Sequence, residues 1–258
     1  MSSSQKGAKP TSPSRIKVGM AMPAYGSNCH VETTKSLIMT TAVLLANKIH
    51  SSFMDVDTAD IVLSRNFLIS NFYYHQKECT HLLFIDNDMS FEPQLIIDML
   101  KLKKDIVGIL YPKRSISLEK FYILATEGYE FAKAKAHSMD FLGRLDPEQK
   151  QEGKFISVDA CGTGIMLISR DAITRMIEKC PYIVDRHHFK KIPAFADLFT
   201  EFLTPFNKVI TEDLELSEDY SFCHRWREEC GGDIWASYDH PVSHYGNFVY
   251  SGKIMDQH

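Results

Sequence analysis

The sequence has six cysteines, at 29, 79, 161, 180, 223 and 230, but no C-x-x-C pair and no zinc-ligand spacing. No secretory leader is expected ahead of them, so they read as reduced thiols and the expected compartment is cytoplasmic. Basic excess is absent too. A formal net charge of −4 argues against a general nucleic-acid binder, while leaving room for anionic small ligands read by local groups. No apolar run reaches the length of a membrane span, and no internal repeat is found. The middle of the chain lacks a Pro/Gly linker. What is present is 258 residues at 44% hydrophobic content, enough for one large domain, which is expected over 16–258. Residues 1–15, "MSSSQKGAKPTSPSR", are Ser/Pro-rich without periodicity and are expected to be a disordered tail.

"RIKVGMAMPA" (15–24) predicts a strand stopping at Pro23, and "VETTKSLIMTTAVLLANKI" (31–49) a helix. A short strand is expected near 52–56. "TADIVLSRNFLISNFYYHQ" (58–76) predicts a second helix, with Thr58 as N-cap and Asp60 in its first turn. "LLFID" reads as a buried strand, "EPQLIIDMLKLK" (92–103) as a helix with Pro93 in its first turn, and "DIVGILYP" (105–112) as a strand. This alternation predicts an α/β fold with a mostly parallel central sheet flanked by helices. Residues 115–155 are less regular, with a strand pair or a peripheral helix as alternatives. "FISVDACGTGIMLISRDAITRMIEK" predicts strand, Gly-rich bend, strand and helix, capped by Ser169 or Asp171. "SEDYSFCHRWREECGG" is a short helix from Ser217 to a stop at Gly231, "DIWASY" (233–238) a final strand, and "DHPVSHYGNFVYSG" a closing loop.

The apolar run Leu82–Ile85 ends in Asp86-Asn87-Asp88. Two carboxylates one residue apart repel in a low dielectric, so a cation or a ligand's hydrogen-bond donors between them would explain the arrangement. Taken alone, such a D-x-D can equally be a turn or helix-cap element. Sites in parallel sheets lie at the carboxyl ends of the strands, where Asp86, Asp88 and Tyr25 all fall.

In order along the chain come the D-x-D, "CGTGIMLISRDAI", "LSEDYSFCHRWREECGGDIW" and "HPVSHYG". This succession resembles the D-x-D-containing glycosyltransferases of the GT-A fold, in particular inverting, family-2-like members, over roughly residues 16–247. The resemblance implies a single Rossmann-like GT-A domain with a smaller antiparallel portion. Its nucleotide-binding half would span about 16–112 and its acceptor-side half about 113–258. It also implies transfer of a sugar, a hexose or deoxyhexose, from a nucleotide diphosphate sugar to a hydroxyl of a glycan, lipid-linked or glycoprotein acceptor, with inversion. UDP is the favoured base by analogy and GDP the next. Any membrane association would be peripheral, through the acceptor.

By the same resemblance Asp88 would ligate a divalent cation directly, Asp86 would hold the ribose or a metal-bound water, and His244 would be the late protein ligand. Oxygen ligands suit Mn²⁺ or Mg²⁺, and a histidine leans toward Mn²⁺. His240 competes with His244 for that place. Asp219 would be the general base; first-turn acids such as Glu218 and Asp219 also serve as plain helix caps. Glu212-Asp213 is a second acidic pair that could be confused with them. Pro23, Ala24, Tyr25, Arg65, Asp86, Asn87, Asp88, Gly162 and Gly164 are the expected donor-binding residues. Each has a plainer reading: Tyr25 as a surface ring, Arg65 in a salt bridge to Asp60 or Asp86, and the two glycines as a β-bulge. Lys113-Arg114 could face phosphate or acceptor.

Three rival functions fit less of the sequence. A haloacid-dehalogenase-like phosphatase would carry D-x-D-x-[TV] on its first strand, whereas Ser90 stands here after two strand–helix units. A nucleotidyltransferase would carry a basic Gly-rich loop, whereas "PAYGSNCHVE" has one Gly and no Lys or Arg. A non-catalytic nucleotide-sugar-binding module would not need Asp219 beside both D-x-D carboxylates.

Overall fold

The computed structural model describes residues 16–211, 214–246 and 249–253. The expected tail 1–15 and the acidic pair Glu212-Asp213 lie outside the described residues.

The chain begins with β1 (Lys17–Pro23), α1 (Val31–Ala46), β2 (His50–Val56), α2 (Ile61–His75), β3 (His81–Ile85), β4 (Met89–Phe91), α3 (Gln94–Leu102), β5 (Ile106–Ile109) and β6 (Tyr111–Ile116). Helices α4 (Leu118–Thr126) and α5 (Phe131–His137) follow, then β7 (Met139–Leu142), β8 (Arg144–Leu145), β9 (Gln151–Glu152), β10 (Phe155–Ala160), β11 (Ile165–Ser169) and α6 (Arg170–Lys179). The remainder holds β12 (Val184–Asp185), α7 (Pro193–Ala196), β13 (Phe202–Leu203), α8 (Glu218–His224), β14 (Ile234–Ser237), β15 (Val242–Tyr245) and β16 (Val249–Gly252).

The central sheet runs β2-β1-β3-β11-β5-β14-β10-β8, with β9 on β10. Strands β2, β1 and β3 pair in parallel, as do β5 and β14, while β11 is inserted antiparallel between β3 and β5. Further antiparallel sheets join β16-β15-β4 and β6-β7. The fold is therefore α/β with a mostly parallel central sheet and smaller antiparallel parts, as the alternation of elements implied.

The unbroken apolar run of β3 follows from its position. Leu82 and Phe84 pack into one core layer with Leu68, Ile69 and Phe72 of α2. Leu83 and Ile85 pack into the other with Leu44 of α1 and Leu95, Ile96 and Met99 of α3. A strand covered on both faces has no solvent side to require polar residues.

Several local expectations change. Helix α2 begins at Ile61, and Asp60 is its N-cap, accepting from Leu63 N at 3.1 Å. Thr58 lies outside the helix: the cap sits next to the first residue of the apolar pattern, and a carboxylate fills that place well. The run expected as one strand over 105–112 divides into β5 and β6. Residues 115–155 hold two helices as well as strands. Ser169, not Asp171, caps α6 through Ala172 N. The expected closing loop forms strands β15 and β16, because its backbone pairs with β4, which sequence periodicity alone does not reveal. Helix α1 also departs from the usual pattern: it buries Thr33, Ser36 and Thr40 and exposes Val31, Ile38 and Leu45.

Candidate active site

The backbone after β3 still follows the strand, and Asp86 N donates to Gly164 O at 2.8 Å. Alternation places Asp86 on the α2 side, with Leu82 and Phe84. There it meets Arg65, whose Nη2 donates to Oδ1 at 3.0 Å and Oδ2 at 3.2 Å. Of the two partners open to Arg65 in the sequence, the structure selects Asp86, since Asp60 is committed to its cap. Asn87 ties the turn down: its Nδ2 donates to Asn28 O at 2.8 Å, and its carbonyl accepts from His30 N at 2.8 Å.

Asp88 immediately precedes β4, and the β4–β15 ladder places His244 opposite Met89. The His244 Nε2 is 3.5 Å from Asp88 Oδ2. Its Nδ1 lies 3.0 Å from Pro112 O, so Nδ1–H donates to that carbonyl. This makes Nδ1 the donor and directs Nε2 at the Asp88 side, where a cation bound beside Asp88 would find it. His240, the competitor, is held between Ser237 Oγ at 2.7 Å and Asp98 Oδ2 at 3.2 Å, and does not line the cavity.

Helix α8 is capped by Ser217, whose Oγ accepts from Tyr220 N at 3.4 Å. Asp219 is thus not the capping residue. Its carboxylate, 8% exposed, accepts a hydrogen bond from the Thr163 hydroxyl and lies 3.6 Å from Arg65 Nε. Burial pushes the Asp219 carboxyl up to about 6; Arg65 works against this rise, Glu218 adds to it, and the Thr163 hydrogen bond opposes it. Arg65 is only 2% exposed. Burial opposes its charge, but Asp86 and then Asp219 outweigh that and raise its pKa. Its Nε and Nη1 find no hydrogen-bond acceptor among the described residues. A buried guanidinium N–H without an acceptor is costly unless a ligand supplies one.

These groups surround a cavity of about 330 Å³, lined by Pro23, Tyr25, Thr58, Ala59, Ile61, Arg65, Asp86, Asn87, Asp88, Arg114, Glu218, Asp219 and His244. Tyr25 stands at its mouth, 67% exposed. The turn carrying it is set by Asp57, which accepts from Gly26 N at 2.8 Å and Ser27 Oγ at 2.7 Å. Gly26 has φ 72°, a conformation that favours glycine. Arg114 of β6 donates to Asp88 Oδ2 at 3.0 Å. A larger cavity, about 480 Å³, lies between α1 and the β4–β15 ladder; its Glu32, Lys35, Glu92 and Lys253 are all at least partly exposed, and it gathers no buried charge.

Three expected residues do not line the site. Ala24 is buried, with its N–H given to Val56 O at 2.9 Å. The space opened by Gly162 and Gly164 is filled by Tyr111: a Cβ at either position would overlap the phenol ring. The Tyr111 hydroxyl accepts from Gly164 N at 3.3 Å, and burial, reinforced by Asp219 and Asp86, raises its pKa well above the ordinary phenol value. Sequence reasoning passed over Thr163 between those glycines. Its only sequence signal was its place in "CGTG", and nothing local ties it to Asp219, fifty-six positions on.

The donor set fits a divalent cation. One carboxylate and one oriented imidazole would suit a first-row ion that takes its remaining ligands from phosphate and water. Among the described residues no group of three His, Cys, Asp or Glu side chains forms a complete cage. Around the cavity four carboxylates face two guanidinium groups.

No family model and no curated protein matches the sequence. Solved structures similar to the chain include A197 from STIV (14% identity, TM-score 0.45, covering 90% of this chain and 86% of that one). Another is a glycosyltransferase involved in glycosylation of the major capsid of PBCV-1 (8% identity, TM-score 0.34, covering 71% and 76%). A third is mannose-1-phosphate geranyltransferase from Thermus thermophilus (9% identity, TM-score 0.41, covering 89% and 76%). Identities and TM-scores this low carry no function across to the present chain.

Proposed function

We propose that the protein is a metal-dependent, inverting GT-A-type glycosyltransferase that moves a hexose or deoxyhexose from a nucleotide diphosphate sugar, UDP-linked in the favoured case, to an acceptor hydroxyl. The observation that carries this reading is the convergence of Asp86, Asp88, His244 and the buried Asp219 on one cavity at the carboxyl ends of β1 and β3. A cation-binding pair and a carboxylate base raised toward neutrality in one cleft of this size match what glycosyl transfer from a nucleotide diphosphate sugar requires.

In this reading Asp88 and His244 would hold Mn²⁺ or Mg²⁺, and Asp86, braced by Arg65, would meet the ribose or water at the cation. The cation's contribution is to stabilise negative charge on the departing diphosphate. Tyr25 at the mouth offers a face for the nucleobase. Asp219 accepts the proton of the acceptor hydroxyl as its oxygen attacks the anomeric carbon. The bond from that carbon to the phosphate oxygen breaks with its electron pair leaving on the diphosphate. A carboxyl raised to about 6 is still largely ionised at neutral pH, yet more basic than a free aspartate, which is what a general base needs. The Thr163 hydroxyl and Arg65 Nε both approach Oδ1, which leaves Oδ2 for the incoming proton.

A thermal-shift panel of nucleoside diphosphates, each with and without Mn²⁺, tests the donor class. Binding to the folded state alone stabilises by RT ln(1 + [L]/Kd), about 2.7 kcal/mol at a hundredfold excess over Kd. A Mn²⁺-dependent rise in Tm with one nucleotide is expected; no rise with any of them would reject the reading.

A further inference from the structure

Arg114 and His244 converge on the same oxygen of Asp88. The Arg114 Nη1 lies 3.0 Å from Oδ2, and His244 Nε2 lies 3.5 Å from that same atom. Three chain segments meet here by construction. The β4–β15 ladder delivers His244, the Pro112 carbonyl of β6 turns its ring, and Arg114 stands two residues further along β6. A cation taken up between Asp88 and His244 would share its carboxylate oxygen with a guanidinium. Two positive charges on one oxygen repel strongly in a partly desolvated cleft.

The two arginines of the cavity differ in freedom. Arg65 is buried and pinned to Asp86. The Arg114 side chain is 54% exposed, makes its ion pair with Asp88 alone among the described residues, and belongs to a strand at the cavity's margin. Its neighbour Lys113 does not line the cavity. Arg114 is thus the cation there that can move, and its fork of N–H donors matches the oxygens of a phosphate.

We infer that Arg114 is an exchangeable counter-ion, which yields Asp88 to a divalent cation and turns to the diphosphate of the nucleotide. This rests on the function proposed above and adds a thermodynamic consequence. The cation releases Arg114 for the diphosphate, and the diphosphate draws Arg114 off the carboxylate that the cation needs. The two ligands therefore bind with positive cooperativity, and by linkage each strengthens the other by the same factor.

The test is a Mn²⁺ titration of the full chain, read by the electron paramagnetic resonance signal of free Mn²⁺, with and without UDP or GDP. It is run on wild type, Arg114→Gln and Arg114→Lys, with circular dichroism to verify folding; the exposed side chain makes folded variants the expectation. Arg114→Gln removes the competing charge, so it should bind Mn²⁺ alone about five- to tenfold more tightly, and the nucleotide's effect on Mn²⁺ affinity should shrink by about the same factor, leaving the part that phosphate oxygens on the cation supply. Arg114→Lys should keep part of both. Wild type that binds Mn²⁺ cooperatively with nucleotide, alongside an Arg114→Gln variant of unchanged or weaker Mn²⁺ affinity, would overturn the exchange and leave the proposed function standing. Wild type that binds no Mn²⁺ with either nucleotide would reject both.

Discussion

Arg65 holds Asp86 with a single nitrogen, Nη2 standing 3.0 Å from one carboxylate oxygen and 3.2 Å from the other. The Nε on the same edge of the guanidinium lies 3.6 Å from Asp219 Oδ1. One buried cation thus serves both the D-x-D turn and the candidate base. Arg65→Met should leave two partly buried carboxylates without their partner and cost roughly 3–5 kcal/mol of stability. It should also move the acid limb of the rate profile to higher pH, since Arg65 opposes the rise of the Asp219 pKa. Urea unfolding and a pH–rate profile check the two effects separately.

In the proposed role Asp219 would set the pH dependence. In the folded protein its pKa is raised from 3.8 to about 6, so between those values the native state binds more protons than the unfolded state. Stability should accordingly be highest below about pH 4 for this group, and should fall as pH rises toward 6. The total is at most roughly 3 kcal/mol at 1.36 kcal/mol per unit. Asp219→Asn should lack this slope, equal or exceed wild type in stability above pH 6, and lose at least about a hundredfold in kcat. In wild type kcat/KM should rise through about pH 6 to a plateau. An Asp219→Asn protein that melts early and keeps its rate per folded molecule would show that Asp219 only supports the fold.

The proposed cation site would make the two D-x-D carboxylates behave differently. Asp88→Ala should abolish turnover and Mn²⁺-dependent nucleotide binding together. Asp86→Ala should weaken nucleotide more than metal. His244→Ala should lower Mn²⁺ affinity by about ten- to a hundredfold, as lost ligands and their oriented partners do. Calorimetry with Mn²⁺ and UDP distinguishes these, and unchanged Mn²⁺-dependent UDP affinity in Asp88→Ala would reject Asp88 as a ligand.

The proposed role of Asp219 as the general base implies a single displacement. NMR of the product's anomeric proton should show the configuration opposite to that of the donor. Retention would remove Asp219 from the role described.

Gly162 tests packing against ligand contact. A Cβ there would overlap the Tyr111 ring, so Gly162→Ala should destabilise the protein by about 1–3 kcal/mol, as overpacking does. Per folded molecule, nucleotide affinity should stay near that of wild type, because Gly162 does not line the cavity. A large loss of affinity at unchanged stability would place the donor against this turn after all.

Much of the outline was set by local order in the chain. The apolar run Leu82–Ile85, the helix-period segments on either side and the abrupt Asp86-Asn87-Asp88 fix an α/β sheet with carboxylates at a strand end, because side-chain burial and backbone propensity act over a few residues. Ser217 as a cap followed from the same short-range logic. Tertiary structure decided what lies beside what. His244 reaches Asp88 only through pairing of β4 with β15, which rescued as strands a segment that reads as a loop. Arg65 chooses Asp86 because Asp60 is spent on its own helix. Thr163 meets Asp219, and Tyr111 fills the space of Gly162 and Gly164, through contacts between strands and helices far apart in sequence. The Asp219 pKa belongs here as well: an aspartate in the first turn of a helix is ordinarily acidic, and burial, aided by Glu218 and opposed by Arg65 and Thr163, raises it to about 6.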